Sequence, residues 1–178
     1  MKKIQNAELN RLSVDEFKGS EKNPIIVVLD NVRSMNNIGS VFRSCDAFRV
    51  ERLFLCGISA TPPHREIQKT ALGATESVIW KYYNDTCAAV ADLKAEGALI
   101  VAVEQTDTSI NLKDYHPDKT RKTALIFGKE INGISDEVLS LCDYSIEIPQ
   151  FGTKHSINIS VSAGIILWDI VTKMVITM

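Results

Sequence analysis

Residues 24–56 read PIIVVLDNVRSMNNIGSVFRSCDAFRVERLFLC, and the hydrophobic pattern changes period twice within them. Ile25 to Leu29 is an unbroken apolar, β-branched run, the mark of a strand buried on both faces of a parallel sheet. A polar loop follows. Ile38, Val41, Phe42, Cys45 and Phe48 then recur at helical spacing, and Leu53–Leu55 forms a second short apolar run. Strand, helix, strand in this order is one βαβ unit.

The alternation continues on the C-terminal side. Helices are expected from Glu66 to Leu72 and from Asp85 to Glu96, stopped by Gly73 and Gly97, with strands at Ser77–Trp80 and Ala98–Val103. A polar stretch, Glu104–Lys122, precedes a strand at Thr123–Phe127, a short helix at Ser135–Cys142, a strand at Tyr144–Ile148 and a last helix from about Ser156. On the N-terminal side, residues 5–17 read as a short amphipathic helix joined by a polar connector to Pro24. The expectation is an α/β fold, a mostly parallel sheet with helices on both faces, divided into a leader (1–23) and one domain (24–178).

Composition narrows the function classes. The 178 residues include 45% hydrophobic and 24% charged side chains with a net charge of -2, so no global positive field advertises a nucleic-acid partner, and any RNA contact must come from local patches. The four cysteines are far apart with no CxxC pair and only three histidines accompany them, which argues against zinc and points to a reducing, cytoplasmic setting. His64, His116 and His155 lie in loop-like sequence and are expected at the surface. The apolar segment 156–174 is interrupted by Asn158, Ser160, Ser162, Asp169 and Lys173, so it reads as a buried helix rather than a membrane span.

Ligands of an open parallel sheet bind beyond the carboxyl ends of its strands. Three such loops are chemically loaded. Asp30–Phe48 carries Asn36, Asn37, Gly39 and Arg43; Asn37 and Arg43, six apart, converge only if Asn37 lies in the loop, and the plainer reading makes Asn36 or Asn37 an N-cap and Arg43 a surface cation. Gly128–Ser135 places Glu130 between two glycines five apart, which let the backbone approach a ligand or simply make a tight turn. Ile148–Ile170 has Pro149 ending the strand, Gly152 permitting a sharp turn, Ser156 able to cap the last helix and Asn158 in its first turn. An amide on an apolar helix must bond a neighbouring backbone or face a site. No GxGxxG, GxSxG, HExxH or phosphate-cradling Gly-Lys-Ser/Thr string occurs, which disfavours a dinucleotide-dependent oxidoreductase or a hydrolase.

Taken together and in this order, the three loops resemble the three motifs of the SpoU (TrmH) family of RNA ribose 2′-O-methyltransferases in the SPOUT superfamily. Asn37, Gly39 and Arg43 match the first motif, Gly128, Glu130 and Gly133 the second, and Pro149, Gly152, Ser156 and Asn158 the third. Ile157 and Gln150 depart from the usual Leu and Met. The resemblance runs from about Pro24 to the C-terminus.

It implies a C-terminal deep trefoil knot from about Phe127, a homodimer with a shared active site, and S-adenosylmethionine as cofactor, leaving S-adenosylhomocysteine as product. Val103, Glu104, Gly128, Gly133, Ile148 and Ile157 would hold the cofactor; Arg43, Asn37, Glu130, Ser156 and Asn158 would serve catalysis, with no metal. Arg43 as general base conflicts with the near-permanent charge of a guanidinium, so a cationic role gripping phosphate fits it better; Glu130 is the second choice of base or, ahead of that, the group that orients Arg43. The substrate implied is RNA, tRNA ahead of rRNA, because no added RNA-binding domain is evident. A catalytically silent knotted RNA-binding protein is the alternative.

Overall fold

The structure is a computed structural model describing residues 1–129 and 131–175. Its centre is β1 (Asn23–Asp30), fully buried from Ile25 onward, flanked in parallel by β2 (Val50–Cys56) and β6 (Thr123–Phe127). β3 (Trp80–Tyr83) extends the sheet beyond β2, while β4 (Leu99–Val103), β7 (Tyr144–Glu147) and the two-residue β5 (Ile110–Asn111) extend it beyond β6. The order is β3-β2-β1-β6-β4-β7-β5, and every pairing is parallel.

Strand periodicity sorts the core into two layers. Ile25, Val27 and Leu29 pack with residues of α2 (Met35–Ala47), α3 (Arg65–Ala71) and α7 (Ile159–Val175), among them Phe42, Ile67 and Ile166. Ile26 and Val28 pack on the other face with Val90 and Leu93 of α5 (Thr86–Ala95) and Val138 of α6 (Asp136–Ser140). Covering both faces is what makes β1 apolar from Ile25 to Leu29, since each such side chain contributes about 1.5–3 kcal/mol by burial.

Gly39 sets the approach of α2 to α3. A Cβ there would lie 2.1 Å from Thr70 Oγ1 and 2.3 Å from the Ile67 carbonyl oxygen, and Thr70 Oγ1 itself donates to the Asn36 carbonyl at 2.9 Å. Gly39→Ala would add about 1 kcal/mol of helix propensity. The backbone oxygen of Ile67 has nowhere to go, so overpacking, costing about 1–3 kcal/mol or more, should prevail. The expected result is a melting temperature several degrees lower; an unchanged or higher value in a thermal melt would contradict the packing argument.

Four elements differ from the sequence expectation. The leader is a 3-10 turn at Asn6–Leu9 and a separate helix α1 (Val14–Gly19), because Ser13 and Glu16 form a capping box that restarts the helix. Ser77 ends a one-turn helix α4 (Ala74–Ser77), its hydroxyl bonded to the Ala74 carbonyl and the Asp46 carboxylate, so β3 starts at Trp80, where the Leu53 register begins. The polar stretch after β4 holds β5. The last helix begins at Ile159 rather than near Ser156. Among the described residues no helix is long and apolar enough to cross a membrane.

The four cysteines are free, Cys45 and Cys56 within the core. Burial pushes the Cys56 thiol up to about 12 and the Cys142 thiol up to about 11, and raises Cys45 and the Tyr115 phenol as well. A pKa higher in the folded than in the unfolded chain contributes stability that is whole below the unfolded value and lost as pH climbs toward the folded one. These groups should therefore lower the melting temperature between about pH 9 and 12. Thermal melts across that range test this, and a rising melting temperature there would refute it.

Candidate functional site

Beyond the carboxyl ends of β4, β6 and β7 lies a cavity of about 670 Å³. Its floor is the loop after β6. Gly128 has no room for a side chain: a Cβ would lie 2.2 Å from the Gly133 carbonyl carbon and 2.3 Å from the Ile134 nitrogen. Gly133 adopts φ +62°, and its N–H closes the turn on the Lys129 carbonyl at 3.0 Å. The two glycines thus fold the loop back on itself with backbone against backbone.

Glu104 clasps that loop from β4. Its Oε2 accepts the Ile134 N–H at 3.2 Å, its Oε1 accepts the Gln105 N–H at 3.0 Å, and a Cβ on Gly133 would lie 2.1 Å from Oε2. The Glu104 N–H donates to Ile146 at 3.1 Å, tying the clasp to β7. Glu104 thereby ties the loop after β6 to the ends of β4 and β7.

The loop after β7 forms the opposite wall, held where Gln105 Nε2 donates to the His155 carbonyl at 3.4 Å. Asn158 is the N-cap of α7: its Oδ1 accepts from the Ser160 N–H at 2.9 Å and its carbonyl accepts from Val161 and Ser162. Ser156, expected as the cap, instead lies in the cavity wall three residues before the first residue of the helix. With its Oδ1 turned to the helix, Asn158 donates Nδ2 to Asn37 Oδ1 at 3.2 Å, joining the start of α7 to the first turn of α2. Gly152 lies in a bend, as expected, but the bend does not demand a glycine: open space surrounds it and its φ is not positive.

Asn37 is not in a loop. Ser34 caps α2 by accepting the Asn37 N–H at 3.3 Å, so Asn37 is the third helical residue, and neither it nor Asn36 is the cap. Arg43, six residues on, consequently faces elsewhere: with Ser40, Ser44, Lys69 and Thr70 it lines a separate groove of about 500 Å³, and it has no ion-pair partner among the described residues. Glu130 lies outside the described residues.

All six residues expected to hold the cofactor, Val103, Glu104, Gly128, Gly133, Ile148 and Ile157, line the cavity together with Ser156 and Asn158. Sequence reasoning passed over Gln105, Ile131, Leu139 and His155, which also line it; His155 is exposed, as expected, yet belongs to the wall. The volume falls in the range of small-molecule sites. Ile131, Leu139, Ile148 and Ile157 offer apolar surface to an adenine, the glycine loop offers close backbone approach, and Glu104, Asp136 and Glu147 outnumber Lys129 in charge. An acidic balance suits a sulfonium cation, so these residues fit S-adenosylmethionine. Among the described residues no group of three or more His, Cys, Asp or Glu could hold a metal ion.

Comparison with known proteins places this arrangement. The family model described as SpoU rRNA Methylase family matches residues 24–168. The tRNA (guanosine(18)-2′-O)-methyltransferase of Thermus thermophilus is 29% identical over 93% of this chain and 83% of its own length; that of Aquifex aeolicus is 32% identical over 82% and 67%. The 23S rRNA (guanosine-2′-O-)-methyltransferase RlmB of Neisseria meningitidis is 29% identical over 86% of this chain and 60% of its own. The solved TrmH/SpoU tRNA modifying enzyme of A. aeolicus superposes with a TM-score of 0.78 at 26% identity, covering 90% of this chain and 81% of that one. The SpoU methyltransferase AviRb of Streptomyces viridochromogenes, solved in complex with AdoMet, superposes with a TM-score of 0.78 at 25% identity, covering 88% and 60%. The parallel sheet is that of an α/β methyltransferase. The chain belongs to the SpoU methylase family.

Proposed function

We propose that this chain transfers the methyl group of S-adenosylmethionine to the 2′-hydroxyl of a ribose in RNA, with tRNA as substrate ahead of rRNA. The observation that carries the reading is the Asn158–Asn37 side-chain bond at the cavity, which brings two distant motif residues to one place. The naming of several relatives for tRNA and of others for 23S rRNA supports RNA as the substrate class and tRNA as the first choice.

The cofactor, when bound, supplies an electrophilic methyl group. The chain supplies alignment: the Gly128–Gly133 loop, braced by Glu104, shapes the cofactor floor, while Asn37, Ser156 and Asn158 orient the ribose. Arg43 grips an RNA phosphate and stabilises the charge that develops on the 2′ oxygen. Glu130 orients Arg43.

Arg43 lies off the cavity of its own subunit, which supports a homodimer in which one protomer's Arg43 serves its partner's site. Val161, Ile165 and Trp168 present an exposed apolar row on α7, spaced i, i+4, i+7, that a second copy would cover. The sheet order, with β6 and β4 between β1 and β7, supports a knotted path in which the chain from about Phe127 passes through a loop. Residues 24–178 constitute the methyltransferase domain and 1–23 its leader, and the free thiols suit a cytoplasmic setting.

The purified protein, given tritiated S-adenosylmethionine, should label tRNA from a strain lacking this gene. Label in rRNA alone would move the substrate. No label in either, with S-adenosylhomocysteine still bound, would favour a silent knotted RNA binder.

A further inference from the structure

Ribose methylation requires that the 2′-hydroxyl lose a proton, and neither Arg43, Glu104 nor Lys129 provides a base for it. Arg43 lines a different groove of its subunit, and a guanidinium has no acceptor. Glu104 spends both carboxylate oxygens on the Gln105 and Ile134 N–H groups. Lys129, also in the wall, carries only donors when charged.

We propose that His155 is the general base that accepts the 2′-hydroxyl proton, an inference that rests on the ribose-methylation reading above. His155 lines the cavity beside Ser156 and three residues before Asn158, so it shares a wall with the ribose-orienting groups. Its backbone is pinned there by Gln105 across the cavity. It is the one imidazole among the described wall residues, and imidazole is the side chain that ordinarily exchanges a proton near neutral pH. The titratable and charged side chains that share the cavity wall with it among the described residues are Glu104, Lys129, Asp136 and Glu147, with Lys154 adjacent in the chain.

The step balances. As the 2′ oxygen bonds the methyl carbon, the carbon–sulfur bond breaks and sulfur keeps its electron pair; the O–H pair stays on oxygen while the proton passes to a ring nitrogen of His155. Because His155 is exposed, the imidazolium returns that proton to water.

The test is single-turnover methyl transfer to tRNA as a function of pH, for the wild type, His155→Asn and His155→Gln. The wild-type rate should climb through an acid limb in the range where imidazoles titrate; both variants should be slower by about 10²–10⁴-fold, without that limb, and partly rescued by added imidazole. S-adenosylhomocysteine affinity by calorimetry should not change. Independently of turnover, the side-chain NMR signals of His155, assigned by their loss in His155→Asn, should shift when S-adenosylhomocysteine and tRNA are bound together. Variants with wild-type rate and pH limb overturn the proposal alone. Variants that lose S-adenosylhomocysteine affinity in step with rate turn His155 into a binding residue and also overturn it. A wild type that methylates no RNA overturns the underlying reading with it.

Discussion

Arg43→Ala should lose about 10³-fold in kcat/KM for RNA, some 4 kcal/mol of transition-state stabilisation, while binding S-adenosylhomocysteine as tightly as the wild type. The separation follows from geometry. Arg43 is exposed on α2 and lines the groove with Ser40, Ser44, Lys69 and Thr70, whereas the residues proposed to hold the cofactor line another cavity. Arg43→Lys keeps the charge but loses the fork that grips a phosphate at two points, so its rate should fall between the two. Kinetics with calorimetry decide the matter: a variant that has lost cofactor affinity would remove Arg43 from the catalytic role.

Gly128→Ala should show the reverse pattern, with cofactor binding lost first. The added methyl would meet the Gly133 carbonyl carbon at 2.2 Å, the Ile134 nitrogen at 2.3 Å and the Gly133 oxygen at 2.6 Å, all backbone atoms that cannot swing aside. The loop must open, and opening it pulls Ile134 from Glu104. We expect S-adenosylhomocysteine affinity to fall by about 10²-fold or more, roughly 2.7 kcal/mol, with a smaller loss of melting temperature. Gly152→Ala is the control: with open space and ordinary φ it should change stability by less than about 0.5 kcal/mol. Equal affinities in wild type and Gly128→Ala would show that the loop is not the cofactor floor.

The parts of the fold that were legible in the sequence are those where one local pattern decides the outcome. Thr123–Phe127 is a strand at the expected residues because a central parallel strand, buried on both faces, shows as an unbroken apolar run, here Ala124–Phe127 after Thr123. Asp85 and Gly97 bracket α5 because the cap and the stop act locally. β3 was misplaced because an edge strand need not be apolar: Lys81 and Tyr82 are exposed, while the β-branched pair Val78–Ile79 lies before the ladder. β5, two residues paired only to β7, has no periodic signal at all.

The site divides in the same way. Its glycines and asparagines could be picked out by type and by resemblance, but their roles depended on long-range contact. Nothing near Asn158 announces that its amide meets Asn37, and nothing near Glu104 announces that it holds the Ile134 N–H. On sequence alone Ser156 reads as the helix cap and Asn158 as a residue of the first turn; the structure assigns the cap to Asn158 and leaves Ser156 facing the cavity. His155 read as an ordinary surface residue because exposure and a place in a cavity wall are compatible, and only the path of the β7–α7 loop distinguishes them.

The central claim is that the methyl group ends on a ribose oxygen. A 2′-O-methyl group removes the hydroxyl that attacks the neighbouring phosphate in alkali, so tRNA labelled with tritiated methyl and hydrolysed in base should carry its radioactivity in alkali-resistant dinucleotides, and complete digestion should release a 2′-O-methyl nucleoside. Radioactivity confined to alkali-released mononucleotides would place the methyl on a base and contradict the account.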